Sequence, residues 1–180
     1  FSGFLTKSKN SVKFISMILA SHIIAASAIA APLALKPLTI SNSAAIFLVS
    51  FLSHYLLDLI PHWDYELSLF DEKNRKFTLK DLIKISIDLF LGMAMGMAIG
   101  FLILGLPVSF EGFFTIGLIV FASCLPDILQ IGYISWGKFP FVQLQKFHSV
   151  FHAKLKLNNQ PIKGIAIQAI VLFILIILFI

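Results

Sequence analysis

Residues 41–64 read SNSAAIFLVSFLSHYLLDLIPHWD, an apolar stretch that ends in two histidines and two aspartates. Its first half is apolar enough to enter lipid, yet His54, Asp58 and His62 follow at intervals of four residues. On a continuous helix such positions share one face, although Pro61 favours an end to the helix nearby. The stretch therefore predicts a membrane helix with ionisable groups along one side of its end.

The composition of the whole chain indicates an integral membrane protein. Of its 180 residues, 58% are hydrophobic and 13% are charged, which is much less charge than a soluble domain carries. We expect one membrane domain, and the single cysteine, Cys124, excludes an internal disulfide. The net charge of +5 does not predict nucleic-acid binding, because no basic cluster is interleaved with aromatic residues that would stack on bases. The oligomeric state is left open.

Apolar runs along the chain predict an all-α fold, a polytopic membrane helix bundle with about five transmembrane helices. A span needs about 20 predominantly apolar residues. Five segments meet this requirement: 13–35, 42–60, 82–106, 112–135 and 162–180. The first of them has an alternative interpretation as a secretory signal, because a lysine-rich start leads through an apolar run to ASAIAAP. His22 is unusual in the core of such a signal.

Lysine and arginine predict the orientation, because cytoplasmic loops retain them. With the N-terminus inside, every lysine and arginine except Lys36 lies on the cytoplasmic side. We therefore expect a protein of the inner, cytoplasmic membrane with a cytoplasmic N-terminus and an extracytoplasmic C-terminus. Residues 140–155 predict one cytoplasmic interfacial helix, whose apolar stripe is flanked by His148 and His152.

All five histidines and the intramembrane aspartates fall in the lysine-rich half of this topology. A helical rise of about 1.5 Å per residue puts them within about 14 Å of the cytoplasmic surface. A charge at mid-bilayer costs at least ~2.5–3.5 kcal/mol, so such residues usually face a partner or a water-filled cavity. Their shared depth predicts one metal site. Its predicted ligands are His22, His54, Asp58, His62, Asp127, His148 and His152.

Imidazole and carboxylate together are the ligand set of Zn²⁺ and, with more oxygen ligands, of Mn²⁺ or Fe²⁺. We expect one or two divalent ions, with zinc favoured. A catalytic zinc site keeps one position open for water and lowers the pKa of that water toward ~7. Asp64 or Asp88 is then the predicted general base. Structural roles without a metal stay open for three of these residues. Asp88 would pair with Lys84, Asp64 would be a solvated loop charge, and His22 would form a hydrogen bond between packed helices.

At these residues the chain resembles the membrane-bound metal-dependent hydrolase family, which includes the LexA-regulated inner-membrane hydrolase. The matching elements are SHIIAASAIA with His22, LPD at residues 125–127, and HSVFH at residues 148–152. The resemblance implies a helical membrane bundle and a metal-dependent hydrolase activity. The family commonly reads LPDIDH and HRGxTH where this chain has LPDILQ and HSVFH. A fainter similarity links the H-x3-D of His54 and Asp58 to the metal helices of zinc-dependent phospholipase C.

These observations predict a membrane metallohydrolase that acts on an ester or phosphoester near the cytoplasmic surface. A phospholipid or lipid-linked phosphate is the expected substrate, and membrane lipid is the expected partner. Two alternatives remain. A metal-ion or proton transporter would also use intramembrane histidines and aspartates, although the extracytoplasmic half has no charged residue within its spans to continue a path. A scaffold without catalytic activity would use them only to hold helices together.

Overall fold

The structure of this chain, a computed structural model, describes residues 7–8, 11–12, 14–16, 18–63, 65–67, 78–153, 157 and 159–180. Within these residues the protein is a bundle of six α-helices, as predicted. They are α1 (Leu19–Ala34), α2 (Ile40–Asp58), α3 (Leu79–Met97), α4 (Phe110–Trp136), α5 (Phe141–Phe151) and α6 (Pro161–Phe179). A π-helical segment, Ala98–Ile103, continues α3.

Very short strands precede α1 and follow α2. β1 (Lys7–Ser8) pairs with β2 (Ser11–Val12), and β3 (Phe14–Ser16) pairs with β4 (Tyr65–Leu67), both in antiparallel orientation. The second pair joins the chain before α1 to the chain after α2. It therefore lies at the end of the bundle where α1 begins and α2 ends.

Four helices in the described part of the chain are long and apolar enough to cross a membrane, so the chain is an integral membrane protein. They cover Ile40–Asp58, Leu79–Ile103, Phe110–Tyr133 and Pro161–Phe179. Each begins within three residues of the start predicted from the sequence. Polar side chains cap three of these starts: Thr39 accepts a hydrogen bond from Asn42 N, Ser109 accepts one from Gly112 N, and Thr78 forms a capping box with Asp81.

The prediction for the first span needs correction. Residues 13–35 were expected to form one span, but the helix begins at Leu19 and has 16 residues. Residues 14–16 lie in a strand instead. A 16-residue helix is about 24 Å long, less than the hydrocarbon thickness of about 30 Å. The apolar composition of residues 14–16 could not reveal this, because their strand partner is about 50 residues away in the sequence.

Helix α1 is the central helix of the bundle and packs against α2, α3, α4 and α6. It is rich in alanine and serine, and most of its residues are buried. Small side chains allow neighbouring backbones to approach closely, which is how membrane helices gain packing energy. The surrounding helices therefore cover α1, and a helix covered on several sides does not need the length of a lipid-facing span.

The two ends of the bundle differ in chemistry. At the end where α1 begins, α2 ends and α5 packs against α4, the buried side chains include histidines and aspartates. Toward the opposite end the interior is closed by an apolar cluster. Its buried members are Ala26, Ala30, Ala34, Ile46, Leu106, Ile116 and Ile119. The polar groups thus lie in a compartment at one end only of the described bundle core.

Candidate metal centre

Two ligand-type side chains come from the last turns of α2. His54 and Asp58 are four residues apart, so they lie on one helical face, and both are fully buried. His54 Nε2 lies 3.4 Å from Asp58 Oδ2. The helix ends at Asp58, as Pro61 predicted, which leaves this pair at the polar end of the bundle.

A third ligand-type side chain comes from the central helix. His22, in the first turn of α1, is fully buried, and its ring stacks on that of His54 with centroids 3.8 Å apart. Its Nε2 atom lies 3.5 Å from Asp58 Oδ1. His22 and His54 are 32 residues apart in the sequence, and the close packing of α1 against α2 brings them together.

Helix α5 covers the polar end of the bundle and contributes a further ligand-type side chain. His148 Nε2 lies 3.0 Å from Asp58 Oδ2, and the His148 ring is buried. The backbone fixes this position, because Ala153 N donates a 2.8 Å hydrogen bond to the carbonyl of Asp58. Phe147 and Val150, on the other faces of α5, are exposed. The helix therefore has the amphipathic character predicted for residues 140–155, over the shorter range Phe141–Phe151.

Helix α4 contributes a carboxylate and a backbone carbonyl. Asp127 Oδ1 lies 3.8 Å from His54 Nε2. The Ser123 carbonyl oxygen is 2.7 Å from His54 Nδ1, and because a carbonyl only accepts, Nδ1 must carry the proton. Such a bond on one ring nitrogen leaves the other nitrogen, here Nε2, to act as the ligand. Pro126 lies three residues further on and has no N–H, so the helix lacks the hydrogen bond to the Ala122 carbonyl, next to Ser123.

The oxygens of Asp58 and Nε2 of His54 face one another at the centre of the site. Within the described residues, both carboxylate oxygens of Asp58 and Nε2 of His54 are buried and make no hydrogen bond of acceptable geometry. Their separations from neighbouring ligand atoms are 3.0–3.8 Å. Two ligands bound to a tetrahedral zinc ion at about 2.1 Å lie about 3.4 Å apart. Atoms that converge at this spacing are arranged to surround an ion.

The charge of Asp58 leads to the same expectation. A buried carboxylate is strongly destabilising unless a positive charge compensates it. Among the described residues, the basic groups within 4 Å of its oxygens are the imidazoles of His22, His54 and His148. Placing positive charge on the stacked rings of His22 and His54 would be opposed by their mutual repulsion. A divalent cation would compensate the carboxylate and leave the imidazoles neutral.

Three overlapping groups of side chains in the described part of the chain could hold a metal ion. In each group the ligand atoms lie within 4.8 Å of one another. The groups are His22 with His54 and Asp58, His54 with Asp127 and His148, and Asp58 with His148 and His152. Six of the seven predicted ligands thus come together. His62, the seventh, lies beside the site, with its ring centroid 5.3 Å from that of His152 and Nδ1 bonded to the Ile60 carbonyl.

The two predicted general bases have different outcomes. Asp64 lies outside the described residues. Asp88 was the other predicted general base, but it belongs to none of the three groups. Its oxygens accept hydrogen bonds from Leu19 N at 2.6 Å and Ala20 N at 3.1 Å. The carboxylate therefore caps α1, whose own N-cap residue, Ile18, has no side-chain acceptor.

This capping role gives a prediction that separates structure from catalysis. We expect Asp88→Ala to lower the free energy of unfolding by about 1–2 kcal/mol, because two backbone donors at the start of α1 lose their acceptor. Asp88→Asn, which keeps an acceptor oxygen, should lose less. Thermal unfolding in detergent measures the effect, and metal content should stay unchanged in both variants. Normal stability with a loss of metal in Asp88→Ala would instead place Asp88 in the site.

Two features of the site were not predicted from the sequence. The Ser123 carbonyl orients His54, and the nearby Pro126 was the available signal. Ser50 is fully buried one turn before His54, and its hydroxyl oxygen has no hydrogen-bond partner among the described residues. The four-residue spacing of His54 and Asp58, extended backwards, reaches Ser50. Ser50 therefore extends the polar face of α2 one turn deeper into the bundle.

Comparison with known proteins identifies no relative. No protein-family model, curated protein or solved structure matches this chain. The resemblance to membrane-bound metal-dependent hydrolases therefore stays a prediction from short motifs.

Proposed function

We propose that this protein is a membrane-embedded, metal-dependent hydrolase. The observation that carries the proposal is the convergence of His22, His54 and His148, from three different helices, on the buried carboxylate of Asp58, whose oxygens make no hydrogen bond of acceptable geometry among the described residues. The nitrogen and oxygen ligands favour zinc, with manganese or iron as the other ions of this class. Cys124 belongs to none of the three groups, so a thiolate-rich structural zinc site is not proposed.

The chemistry we propose needs a proton acceptor beside the ion. A bound divalent ion would supply Lewis-acid activation of a water molecule. Asp127 is the carboxylate of the cluster nearest to the outside, since 10% of its side chain is exposed against 1% for Asp58. We therefore assign proton transfer to Asp127 and metal binding to Asp58 and the histidines. Asp64, a general base predicted from the sequence, lies outside the described residues, so Asp127 takes this role in the proposal.

The surroundings of the site support a substrate at the membrane surface. The exposed apolar face of α5, with Phe147 and Val150, suits burial among lipid headgroups and upper acyl chains. In the topology predicted from the sequence, every lysine and arginine except Lys36 lies on the same side of the membrane as the site, so we propose that this side faces the cytoplasm. An ester or phosphoester of a phospholipid or lipid-linked phosphate would reach the site from this surface.

Hydrolysis by purified protein in mixed micelles tests the proposal. With zinc or manganese present, we expect release of phosphate or fatty acid from a panel of phospholipids and lipid phosphates. Asp127→Asn should retain metal but lose about 10²–10⁴-fold in kcat, the usual contribution of a general acid–base group. His54→Ala should lose both metal and activity. Turnover that is absent from metal-loaded wild type, or equal in wild type and both variants, would contradict the proposal.

Transport is the less favoured alternative. A relay through the membrane would need polar groups to continue from the site toward the opposite surface. The interior there is instead filled by the apolar cluster around Ile46 and Ile116. Metal uptake into liposomes that requires Asp127 would favour transport over hydrolysis.

A further inference from the structure

We infer that the site holds two cations that share Asp58 as a bridging ligand. This inference rests on the proposed metal centre and deepens it, because the number of ions determines which substrate class the site suits. In the proposed arrangement, His22 and His54 bind one ion together with Asp58. His148 and His152 bind the other ion, also together with Asp58.

The orientation of the Asp58 carboxylate is the first observation. Its Oδ1 atom lies 3.5 Å from Nε2 of His22, while Oδ2 lies 3.0 Å from Nε2 of His148. Oδ1 thus faces α1, while Oδ2 faces α5 and also lies 3.4 Å from Nε2 of His54 on α2. Neither oxygen makes a hydrogen bond of acceptable geometry among the described residues, and the side chain is 1% exposed. Both oxygens are therefore available as ligands, Oδ1 toward His22 and Oδ2 toward His148.

The number and spread of ligands is the second observation. A single zinc ion takes four ligands at about 2.0–2.2 Å, so two ligands of one ion cannot be more than about 4.4 Å apart. Among the described residues, no group with ligand atoms within 4.8 Å contains both His22 and His152, although each forms such a group with Asp58. One ion cannot use both histidines. Two ions joined through Asp58 use both.

The ring contacts place stacked histidines in both halves of the site, and the two halves adjoin, because the rings of His54 and His148 meet edge to face with centroids 5.3 Å apart. His22 and His54 stack with centroids 3.8 Å apart, and His148 and His152 stack with centroids 5.7 Å apart. The first pair belongs to the buried helices α1 and α2. The second belongs to α5 and the residue directly after it, where His152 is half-buried. One subsite is therefore enclosed in the bundle and the other lies nearer to the membrane surface.

Two ions in this arrangement favour a phosphoester over a carboxylic ester. Ions about 3.5–4 Å apart stabilise both the attacking and the leaving oxygen of an in-line displacement at phosphorus. The subsite nearer the surface would be reached first by a phosphate group entering from the headgroup region. We therefore assign the site to a lipid phosphomonoester or phosphodiester.

Manganese titration of the detergent-purified protein tests the shared site without any substrate. After removal of bound metal, we expect two Mn²⁺ per chain and an electron paramagnetic resonance spectrum of an exchange-coupled pair. His22→Ala and His152→Ala should each bind one Mn²⁺ and give the six-line spectrum of an isolated ion. Ser149→Ala is the matched control on α5, because the Ser149 hydroxyl donates a hydrogen bond to the Lys146 carbonyl and belongs to none of the three ligand groups among the described residues. It should keep two coupled ions.

The possible results separate this inference from the proposed function. One Mn²⁺ per wild-type chain, or two ions without exchange coupling, overturns the bridged pair but leaves a one-metal hydrolase standing. No bound Mn²⁺ and no bound Zn²⁺ in folded wild-type protein overturns both proposals.

Discussion

Asp58→Asn is expected to yield folded protein that binds divalent metal more than about 100-fold more weakly than the wild type. The substitution preserves the shape of the side chain but removes its negative charge and replaces one ligand oxygen with an amide nitrogen that cannot bind a cation. Loss of groups that merely orient a ligand already costs about 10–100-fold in affinity, so loss of a central ligand should exceed that range. Equilibrium dialysis with zinc measures the change.

Glu111→Gln provides the matched control for this experiment. Glu111 is an exposed carboxylate in the first turn of α4, at the end of the bundle away from the histidines. The Glu111→Gln protein should bind zinc as the wild type does. If Asp58→Asn bound zinc with wild-type affinity, Asp58 would not be a ligand. If both wild type and variant lacked metal and the variant were more stable, the histidines and Asp58 would form only a structural polar cluster.

Gly92→Val is expected to produce the largest loss of stability. A Cβ atom at Gly92 would lie 2.5 Å from Ile23 Cδ1 and 2.9 Å from Ala20 Cα, so α1 and α3 would have to separate. Overpacking of this kind costs about 1–3 kcal/mol, and a clash with backbone cannot be relieved by a side-chain rotation. Because His22 lies in the same turn of α1 as Ala20, the variant should also bind metal more weakly.

Gly117→Ala is the control for the glycine substitution. Gly117 lies on an exposed face of α4, and an added Cβ would meet no atom within 4 Å. Replacing glycine with alanine in a helix should stabilise it by up to about 1 kcal/mol. Thermal unfolding in detergent compares the two variants. A Gly92→Val protein as stable as the wild type would show that α1 and α3 do not pack as closely as the structure indicates.

The sequence predicted the helices well where composition alone decides them. Long apolar runs require long lipid-facing helices, so four spans were found with ends close to those in the structure. The first span was placed wrongly because its N-terminal part pairs with a distant strand, and no local signal reports such a pairing. Helix α1 is also short for a span, which its own composition does not reveal but its burial by four neighbours explains.

The sequence predicted only part of the site, because it gives spacing and depth but not how the helices pack. The spacing of His54 and Asp58 fixes a shared face within one helix, and the convergence of His22, Asp127 and His148 followed from a common depth in the membrane. Depth could not distinguish Asp88, which lies at a similar predicted level but faces the start of α1. Which residues at one depth face one another is decided by helix packing and rotation.

X-ray absorption of zinc in the purified wild-type protein tests the central claim most directly, namely that side chains from α1, α2 and α5 surround a cation. We predict stoichiometric zinc with a first shell of nitrogen and oxygen at about 2.0–2.1 Å. Outer-shell scattering from histidine rings should be strong and should decrease in both His22→Ala and His148→Ala. Folded protein that takes up no zinc, or zinc whose spectrum shows no imidazole scattering, would contradict the claim.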